Sequence, residues 1–326
     1  MPLDADQIVD RRRMRRKLTF WRVATVLIAI VAIMGVAAAV AIRTGLAGGS
    51  GTAIARITIE GLIRTNQQRV EALDRLGRSG TRAVIVHINS PGGTTAGSEQ
   101  LYGALVRLKG RKPTVVVIEG LAASGGYIAA LSADHIIAQQ TSLVGSIGVL
   151  FQYPNVTDLL KTIGVKVEEI KSSPLKAAPS GFEPTSPEAR AAIESIVKDT
   201  YAWFRNLVGE RRHLTDGALD SVSDGRVFTG RQGLELKLID ALGDELTARE
   251  WLAKEKNIDL KTPVRDYELA PRFGDLPFIH VAVVGLLDAV GLRSFARHIE
   301  EWGALQAFER LNLDGLLALW HPAMTK

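Results

Sequence analysis

Short apolar runs alternate with longer amphipathic segments from residue 54 onward. Residues 83–88 and 114–118 are nearly continuous apolar runs, which are typical of strands with both faces covered. Residues 94–109 carry apolar positions at helical spacing, whereas residues 89–93 have the composition of a loop. This alternation predicts an α/β domain. By the same criteria we expect strands at residues 54–59, 135–138, 144–149 and 165–170, helices at 65–78, 187–212 and 243–256, and a strand–helix–strand unit at 226–240.

A different apolar run lies near the N-terminus. Residues 23–42 contain no charged residue, and a run of about 20 apolar residues can span a bilayer as a helix. A basic cluster precedes this run. The positive-inside rule therefore predicts a single-pass anchor with a cytoplasmic N-terminus and everything after Arg43 on the extracytoplasmic side. A cleaved signal peptide is the competing interpretation, because Ala37, Ala38 and Ala39 offer a small-residue exit site, but the length of the run favours an uncleaved anchor.

These patterns divide the chain into four parts. Residues 1–43 form the basic segment and the predicted anchor, and residues 44–53, with four glycines, form a flexible linker. Residues 54–260 form the α/β domain. Residues 261–326 form a C-terminal extension to which the sequence assigns no role, and its apolar stretch at 278–287 is too short to span a membrane.

The distribution of charge excludes one class of function. The chain of 326 residues has a net charge of +5. Residues 1–43 contain eight Lys or Arg and three acidic residues, so the remaining chain is neutral. A nucleic-acid-binding domain needs a basic face on the folded domain, and we therefore expect no nucleic-acid partner. The chain also lacks cysteine, which excludes a thiol nucleophile and a disulfide framework.

A candidate nucleophile lies between the predicted strand at 114–118 and an Ala-rich helix. Ser124 is flanked by small residues, Ala123 on one side and Gly125 and Gly126 on the other. Small neighbours allow a sharp turn and the close approach of another backbone segment. A serine at a helix start also lies beside unpaired N–H groups, which favour negative charge and could stabilise an oxyanion. The alternative is a turn that serves packing alone.

Such a serine needs a base, which is usually histidine or lysine. None of the six histidines lies in a recognisable triad motif, and His87, inside an apolar strand, is better explained as a core residue. No metal-binding motif is present, so we expect neither a metal nor a cofactor. Lys171 and Lys176 lie in a Pro-bounded, irregular segment. Because only about one in 2,500 lysines is neutral at pH 7, a lysine base requires burial and hydrogen bonding.

Five short segments occur in a consistent order along the chain: residues 90–93 (Ser-Pro-Gly-Gly), 122–127 (Ala-Ala-Ser-Gly-Gly-Tyr), 145–149 (Gly-Ser-Ile-Gly-Val), 171–176 (Lys-Ser-Ser-Pro-Leu-Lys) and 225–230 (Gly-Arg-Val-Phe-Thr-Gly). Together they resemble the signal peptide peptidase SppA family, also called the protease IV family, in its short form with one catalytic domain per chain. The resemblance covers about residues 54–260. It implies a ClpP/crotonase-like α/β fold, a Ser-Lys dyad and a membrane-tethered homo-oligomer.

The resemblance also implies roles for individual residues. Ser124 matches the nucleophile, Lys176 the general base, and Ser146 the serine whose hydroxyl orients the lysine amine. In this family an acidic residue often follows the lysine, whereas Ala177 follows it here. This departure keeps Lys171 as the alternative base.

Backbone N–H groups complete the implied site. Gly125 and a residue of the 91–93 loop would form the oxyanion hole, with Gly93 as the first choice in that loop and Gly92 as the second. In this family the serine and lysine of one site can come from adjacent subunits, so the resemblance implies a role for the oligomer in activity.

The resemblance implies a serine endopeptidase of the bacterial plasma (inner) membrane that degrades remnant signal peptides and similar apolar peptides after export. A SohB-type peptidase, with the same chemistry and other substrates, is a narrower alternative. A crotonase-like acyl-CoA enzyme and a non-catalytic membrane scaffold are alternatives from other functional classes. Labelling of Ser124 by a serine-directed acylating probe is a test against the acyl-CoA enzyme, and hydrolysis of casein or signal peptides by the purified soluble domain would separate the peptidase from both.

Overall fold

The computed structural model describes residues 20–21 and 53–269 and the backbone of residues 317–319. The chain divides into two units, residues 1–52 and 53–326. In the first unit, Phe20 and Trp21 are helical and their rings meet edge to face. The predicted anchor at 23–42, the linker up to residue 52 and most of the C-terminal extension lie outside the described residues. Within those residues, no helix has the length and apolar character needed to cross a bilayer.

The second unit is an α/β domain built on a central sheet. Its strands are β1 (Ile54–Ile63), β2 (Ala83–Thr94), β3 (Thr114–Ala123), β4 (His135–Ala138), β5 (Leu143–Gly145), β6 (Val227–Thr229), β7 (Ala241–Leu242), β8 (Val264–Asp266) and β9 (Leu317–Leu319). Its helices are α1 (Gln67–Arg78), α2 (Thr95–Lys109), α3 (Gly125–Ala130), α4 (Thr157–Thr162), α5 (Pro187–Arg212), α6 (Asp216–Val222), α7 (Gly230–Glu235) and α8 (Glu245–Lys256).

The sheet brings several strand ends to one edge. The strand order is β6-β5-β3-β2-β1-β8, with β4 between β3 and β7 and with β9 beside β2. Strands β1, β2, β3 and β5 are parallel, whereas β6 and β9 pair antiparallel with β5 and β2. Because parallel strands share the direction of their carboxyl ends, the loops after β1, β2, β3 and β5 lie at the same edge. Strand β8 pairs with β1, so the sheet continues past residue 260.

Both faces of the sheet are covered near the start of its central strands. The larger apolar core includes Leu73 of α1, Leu105 of α2 and Phe204 of α5. The smaller core contains the strand side chains that point to the other face of the sheet. There, Leu252 of α8 packs against residues such as Ile85. The apolar residues of the 83–88 run are at most 1% exposed, which confirms the prediction of a strand buried on both faces.

Several of the sequence predictions are confirmed. The predicted helix at 187–212 coincides with α5, because Ser186 caps its N-terminus by accepting a hydrogen bond from Ala189 N–H at 3.1 Å. Pro187 follows at the first helical position, where its missing N–H costs nothing. The strands predicted at 54–59, 114–118 and 135–138 are also present.

Two of the local predictions are wrong. Residues 165–170 form no strand, and their exposed apolar side chains, Val165, Val167 and Ile170, lie on no sheet. Residues 89–93, predicted as a loop, instead continue β2, because Gly92 and Gly93 pair with the end of β1 after a register shift. The glycines allow this close pairing, which composition alone does not reveal.

The core predicts a large cost for a cavity. We expect Leu105→Ala, at a fully buried position, to lower the free energy of unfolding by about 2–5 kcal/mol. Chemical denaturation of the folded domain measures this change. The matched control is Leu246→Ala in α8, where the side chain is 56% exposed; its effect should stay within about 0.5 kcal/mol. Equal effects of the two variants would contradict the assignment of the core.

Candidate active site

Ser124 occupies a strained turn between β3 and α3. Its backbone angles are φ 54° and ψ −117°, a conformation that costs a non-glycine residue about 1–3 kcal/mol. Its N–H donates to the Gly145 carbonyl at 2.8 Å, and its own carbonyl accepts the first helical hydrogen bond from Ile128 N–H at 2.9 Å. The residue is 1% exposed. In the part of the chain that the structure describes, its hydroxyl makes no hydrogen bond.

Glycines allow the neighbouring strand to approach this turn. A Cβ at Gly126 would lie 2.6 Å from the Ser90 carbonyl oxygen, and a Cβ at Gly93 would lie 1.8 Å from the carbonyl oxygen of Ile63. Real side chains never make such contacts, so β1, β2 and α3 can meet here only through glycine. The result places the Ser90–Gly93 segment directly beside the Ser124–Gly125 turn.

Ser146 lies on the other side of the same turn. Gly145, which accepts the Ser124 hydrogen bond, is also the register partner of Ala123, and Ser146 follows it. Ser146 has φ 53° and is 7% exposed. Its N–H donates to the Arg226 carbonyl at 2.7 Å, so the segment before β6 holds it in place. The sequence motifs at 122–127, 145–149 and 225–230 therefore meet in space.

The structure brings together all the predicted site residues except the lysine. Lys176 lies in an exposed turn, where its N–H donates to the Ser173 carbonyl at 3.1 Å. Among residues 53–269, its amine makes neither a hydrogen bond nor an ion pair. One chain alone thus presents Lys176 to solvent and holds Ser124 inside the domain.

The alternative base, Lys171, is paired with carboxylates. Its amine lies 2.7 Å from Glu169 Oε2 and 2.6 Å from Glu183 Oε1. The hydrogen bonds to Glu169 and then Glu183 raise the pKa of the amine above its ordinary value. A raised pKa keeps the lysine charged, which disfavours it as a base and supports Lys176 in that role.

The described histidines do not contact Ser124. His87 bonds Glu119 through Nδ1 at 3.1 Å and Glu245 through Nε2 at 2.8 Å, so it is the satisfied residue that the sequence predicts. His135 stacks on Trp251, and burial lowers its pKa. Within the described ranges, no group of three His, Asp or Glu side chains is arranged to hold a metal ion.

The last residues of β2 include Gly92 and Gly93, which we call the glycine strand end. A cavity of about 430 Å³ adjoins it. It begins at Thr94, the residue after Gly93, and extends between the first turn of α2 and the Trp203 side of α5. Beside it, β9 pairs antiparallel with Gly92, Gly93 and Thr94. This edge of β2 therefore accepts an extended segment as an additional strand.

Comparison with known proteins places the chain in a family. Residues 107–259 match peptidase family S49. A candidate protease of Synechocystis sp. is 35% identical over 208 residues, which make up 63% of this chain and 75% of that protein. The chain belongs to peptidase family S49. Membership indicates a serine-type peptidase, and the matched residues include Ser124, Ser146, Lys171 and Lys176.

Other relatives of this S49 peptidase are longer proteins. Protease 4 of Salmonella typhi is 35% identical over 164 residues, which are 50% of this chain and 26% of that protein. The serine protease SPPA, chloroplastic, of Arabidopsis thaliana is 32% identical over 200 residues, which are 61% of this chain and 29% of that protein. The chain thus spans less than a third of these two relatives. These names support an SppA-like protease, in agreement with the sequence resemblance.

Sequence reasoning missed one residue of the candidate site, Ser90. The Ser90 hydroxyl donates to the Gly61 carbonyl at 2.7 Å and accepts from Gly92 N–H at 3.1 Å. Ser90 thereby ties the ends of β1 and β2 together beside Ser124. Its place in the Ser-Pro-Gly-Gly motif was a signal, but the contact to Gly61 depends on the parallel register.

Strain at Ser124 predicts an unusual pair of substitutions. Glycine tolerates positive φ without a Cβ penalty, whereas alanine does not. We expect Ser124→Gly to be more stable than Ser124→Ala by about 1 kcal/mol, although both lack the hydroxyl. Thermal and chemical unfolding of the two purified variants measure this difference. Equal stabilities would show that the turn is not strained as described.

The polar cluster beside His87 predicts sensitivity to acid. Hydrogen bonds from Arg56, at 2.6 and 2.7 Å, and from His87 lower the pKa of Glu245 below its ordinary value of 4.5. A lowered pKa gives stability that is present above the unfolded-state value and is lost as the pH falls through the folded-state value. We therefore expect Glu245→Gln to lower the free energy of unfolding at pH 7, and to lower it by a smaller amount at about pH 3.

Unfolding curves recorded over this pH range test the assignment. The control is Glu168→Gln, which removes a carboxylate from a surface ion pair with 84% and 76% exposed side chains. The free energy of unfolding of that variant should equal the parent's at each pH. A cost of Glu245→Gln that does not change with pH would contradict the role of this carboxylate.

Proposed function

We propose that this S49 peptidase is a membrane-anchored serine endopeptidase with a ClpP/crotonase-like fold and a Ser124–Lys176 dyad. The observation that carries the proposal is the Ser124 turn, which holds on a strained backbone, beside Gly92 and Gly93, a hydroxyl that makes no hydrogen bond to the residues the structure describes. Strained turns of this kind hold nucleophiles in other hydrolases because they expose the side-chain oxygen at a helix start.

In the proposed reaction, neutral Lys176 accepts the Ser124 proton while the serine oxygen attacks a peptide carbonyl. The tetrahedral oxyanion then collapses, the protonated lysine donates its proton to the leaving amine of the C-terminal half, and the acyl, N-terminal half of the peptide remains bound to Ser124 as an ester. Lys176 next takes a proton from water, which attacks the ester carbonyl. The lysine then returns that proton to the Ser124 oxygen as the ester C–O bond breaks, which releases the second product and regenerates the enzyme. Ser146, beside the turn, would orient the lysine amine.

Two backbone N–H groups are proposed to stabilise the oxyanion. Gly125 supplies the first, because it follows Ser124 and begins α3. In the glycine strand end, the Gly92 N–H already donates to the Ser90 hydroxyl at 3.1 Å. This contact favours the Gly93 N–H as the second donor. Each such donor contributes about 2.7–4 kcal/mol to stabilisation of the transition state in other hydrolases.

The position of Lys176 supports a site that is completed by a second subunit. A lysine can act as a base only when burial or neighbouring groups favour its neutral form, but here the side chain is exposed in the single chain. The segment around it also exposes large apolar side chains, which indicates a covered surface in the assembly. These side chains are Leu159, Ile163, Ile170, Leu175 and Phe182. We propose that a homo-oligomer buries this surface and that Lys176 serves the Ser124 of a neighbouring copy.

The proposed substrates are remnant signal peptides and similar apolar peptides. A relative from Enterococcus faecium is named as a candidate signal peptide peptidase SppA, with 32% identity over 178 residues. The predicted anchor at 23–42 would hold the domain on the extracytoplasmic side of the bacterial plasma membrane, close to exported signal peptides. An extended peptide would dock along β2, since this edge already accepts β9 as a strand.

Loss of the Ser124 hydroxyl should abolish peptide hydrolysis. We expect Ser124→Ala to reduce turnover of casein and synthetic signal peptides by at least about 10⁴-fold, because the covalent step is lost. A serine-directed acylating probe should label the parent at Ser124 and leave the variant unlabelled. Probe labelling without any peptide hydrolysis would favour an acyl-transfer enzyme, and full turnover by Ser124→Ala would refute the proposal.

Mixing two inactive variants tests whether the dyad spans two subunits. We expect Ser124→Ala and Lys176→Ala to be inactive alone. If each site combines residues of adjacent copies in a head-to-tail ring, random co-assembly restores roughly a quarter of parental activity. Mixing each variant with itself under the same dissociation and reassembly is the control. No recovery in verified mixed oligomers would place both residues of a site on one chain.

A further inference from the structure

Lys171 joins the two ends of the loop that carries Lys176. We call residues 171–183 the lysine loop. At its start, the Lys171 amine bonds Glu169 at 2.7 Å, and across the loop it bonds Glu183 at 2.6 Å. The Lys171 side chain is 17% exposed, whereas the side chains of Glu169 and Glu183 are 34% and 52% exposed. Lys171 thus has the least exposed side chain of this three-residue bridge.

The second arm of the lysine loop, residues 181–185, is bonded to residues 153–156, in the irregular segment that precedes α4. The Val156 N–H donates to the Gly181 carbonyl at 2.8 Å. A Cβ at Gly181 would lie 2.4 Å from the Pro154 carbonyl oxygen, so this approach requires glycine. The hydroxyls of Tyr153 and Thr185 are also hydrogen-bonded to each other. Residues 181–185 are therefore linked to residues 153–156 within a single chain.

The first arm, residues 165–171, makes fewer contacts with the described residues. Residues 165–170 form no strand, and the lysine loop covers a cavity of about 420 Å³ lined by Val167, Pro174 and Phe182. Within the described residues, side-chain hydrogen bonds join the two arms at Lys171–Glu183 and, more weakly, at Ser180–Glu169, where the distance is 3.5 Å. The Lys171 bridge consequently joins the first arm to the second arm and to the contacts that the second arm makes.

We propose that Lys171 is a positioning residue for the peptidase reaction: by bridging Glu169 and Glu183 it closes the lysine loop and sets the reach of Lys176. This inference rests on the proposed function of Lys176 as the base. It differs from a catalytic role, since the Lys171 amine remains charged and never contacts the reacting atoms. A displacement of about 1 Å in a catalytic group can cost about 10²-fold in rate, which is why such a bridge matters.

Substitutions of Lys171 in the full-length, assembled enzyme test the inference. We expect Lys171→Met to lower kcat by about 10-fold or more with KM nearly unchanged, because substrate contacts remain while the base is misplaced. Lys171→Arg should restore most of kcat, since a guanidinium can bond two carboxylates and cannot act as a base at neutral pH. The double variant Glu169→Gln, Glu183→Gln should reproduce the loss, and adding Lys171→Met to it should lower kcat little further.

Two controls separate positioning from other effects. Lys166→Met removes the lysine of a surface ion pair in the same arm, at 84% side-chain exposure, and should leave kcat unchanged. Oligomer size and thermal unfolding of each variant report whether folding is intact. If Lys171→Met fails to assemble, the single variant Glu183→Gln decides: a lowered kcat supports the bridge, and an unchanged kcat overturns it.

Other outcomes would overturn the inference without affecting the proposed function, or the reverse. Full activity of Lys171→Met shows that the bridge is dispensable. Loss of Ser124 acylation in Lys171→Arg equal to that in Lys171→Met assigns Lys171 itself as the base. The dyad proposal fails by a different result, namely parental activity of Ser124→Ala or Lys176→Ala, so the two failures remain distinguishable.

Discussion

Close contact between backbones is the constraint on which the candidate site depends. Gly126 rests on the carbonyl of Ser90, Gly93 rests on Ile63, and Ser124 N–H donates to Gly145. Side chains at the two glycine positions would separate α3 from β2 and β2 from β1. The strained turn persists because the parallel sheet fixes the ends of its strands on every side.

The sheet explains why residues far apart in the sequence meet at this turn. Strands β1, β2, β3 and β5 run parallel, so their following segments meet at one edge. Because the strands beneath are buried on both faces, the edge rests on a rigid core. Lys176 is placed by different means, on an exposed loop that hydrogen bonds and ion pairs close. The two halves of the proposed dyad therefore differ in how firmly a single chain holds them.

Much of this architecture could be predicted from local sequence signals. The Ser186 cap and Pro187 define the start of α5, and the apolar run at 83–88 defines a buried strand. Local signals failed where pairing with a neighbouring strand decides the structure. Residues 165–170 have an apolar pattern suited to a strand but find no strand to pair with, and Gly92 and Gly93 have loop composition but pair with β1. The Lys171 bridge was hidden because Glu183 lies twelve residues away along an irregular loop.

The pairing of β9 with the end of β2 has a consequence for the behaviour of the chain with its ligands. One side of a strand can hydrogen-bond only one neighbour, and residues 317–319 of the chain itself occupy that side at Gly92, Gly93 and Thr94. A peptide that binds there must first displace this tethered competitor. The measured affinity of such a peptide would be its intrinsic affinity multiplied by the fraction of molecules whose edge is vacant, so pairing of residues 317–319 would raise the peptide concentration needed for binding.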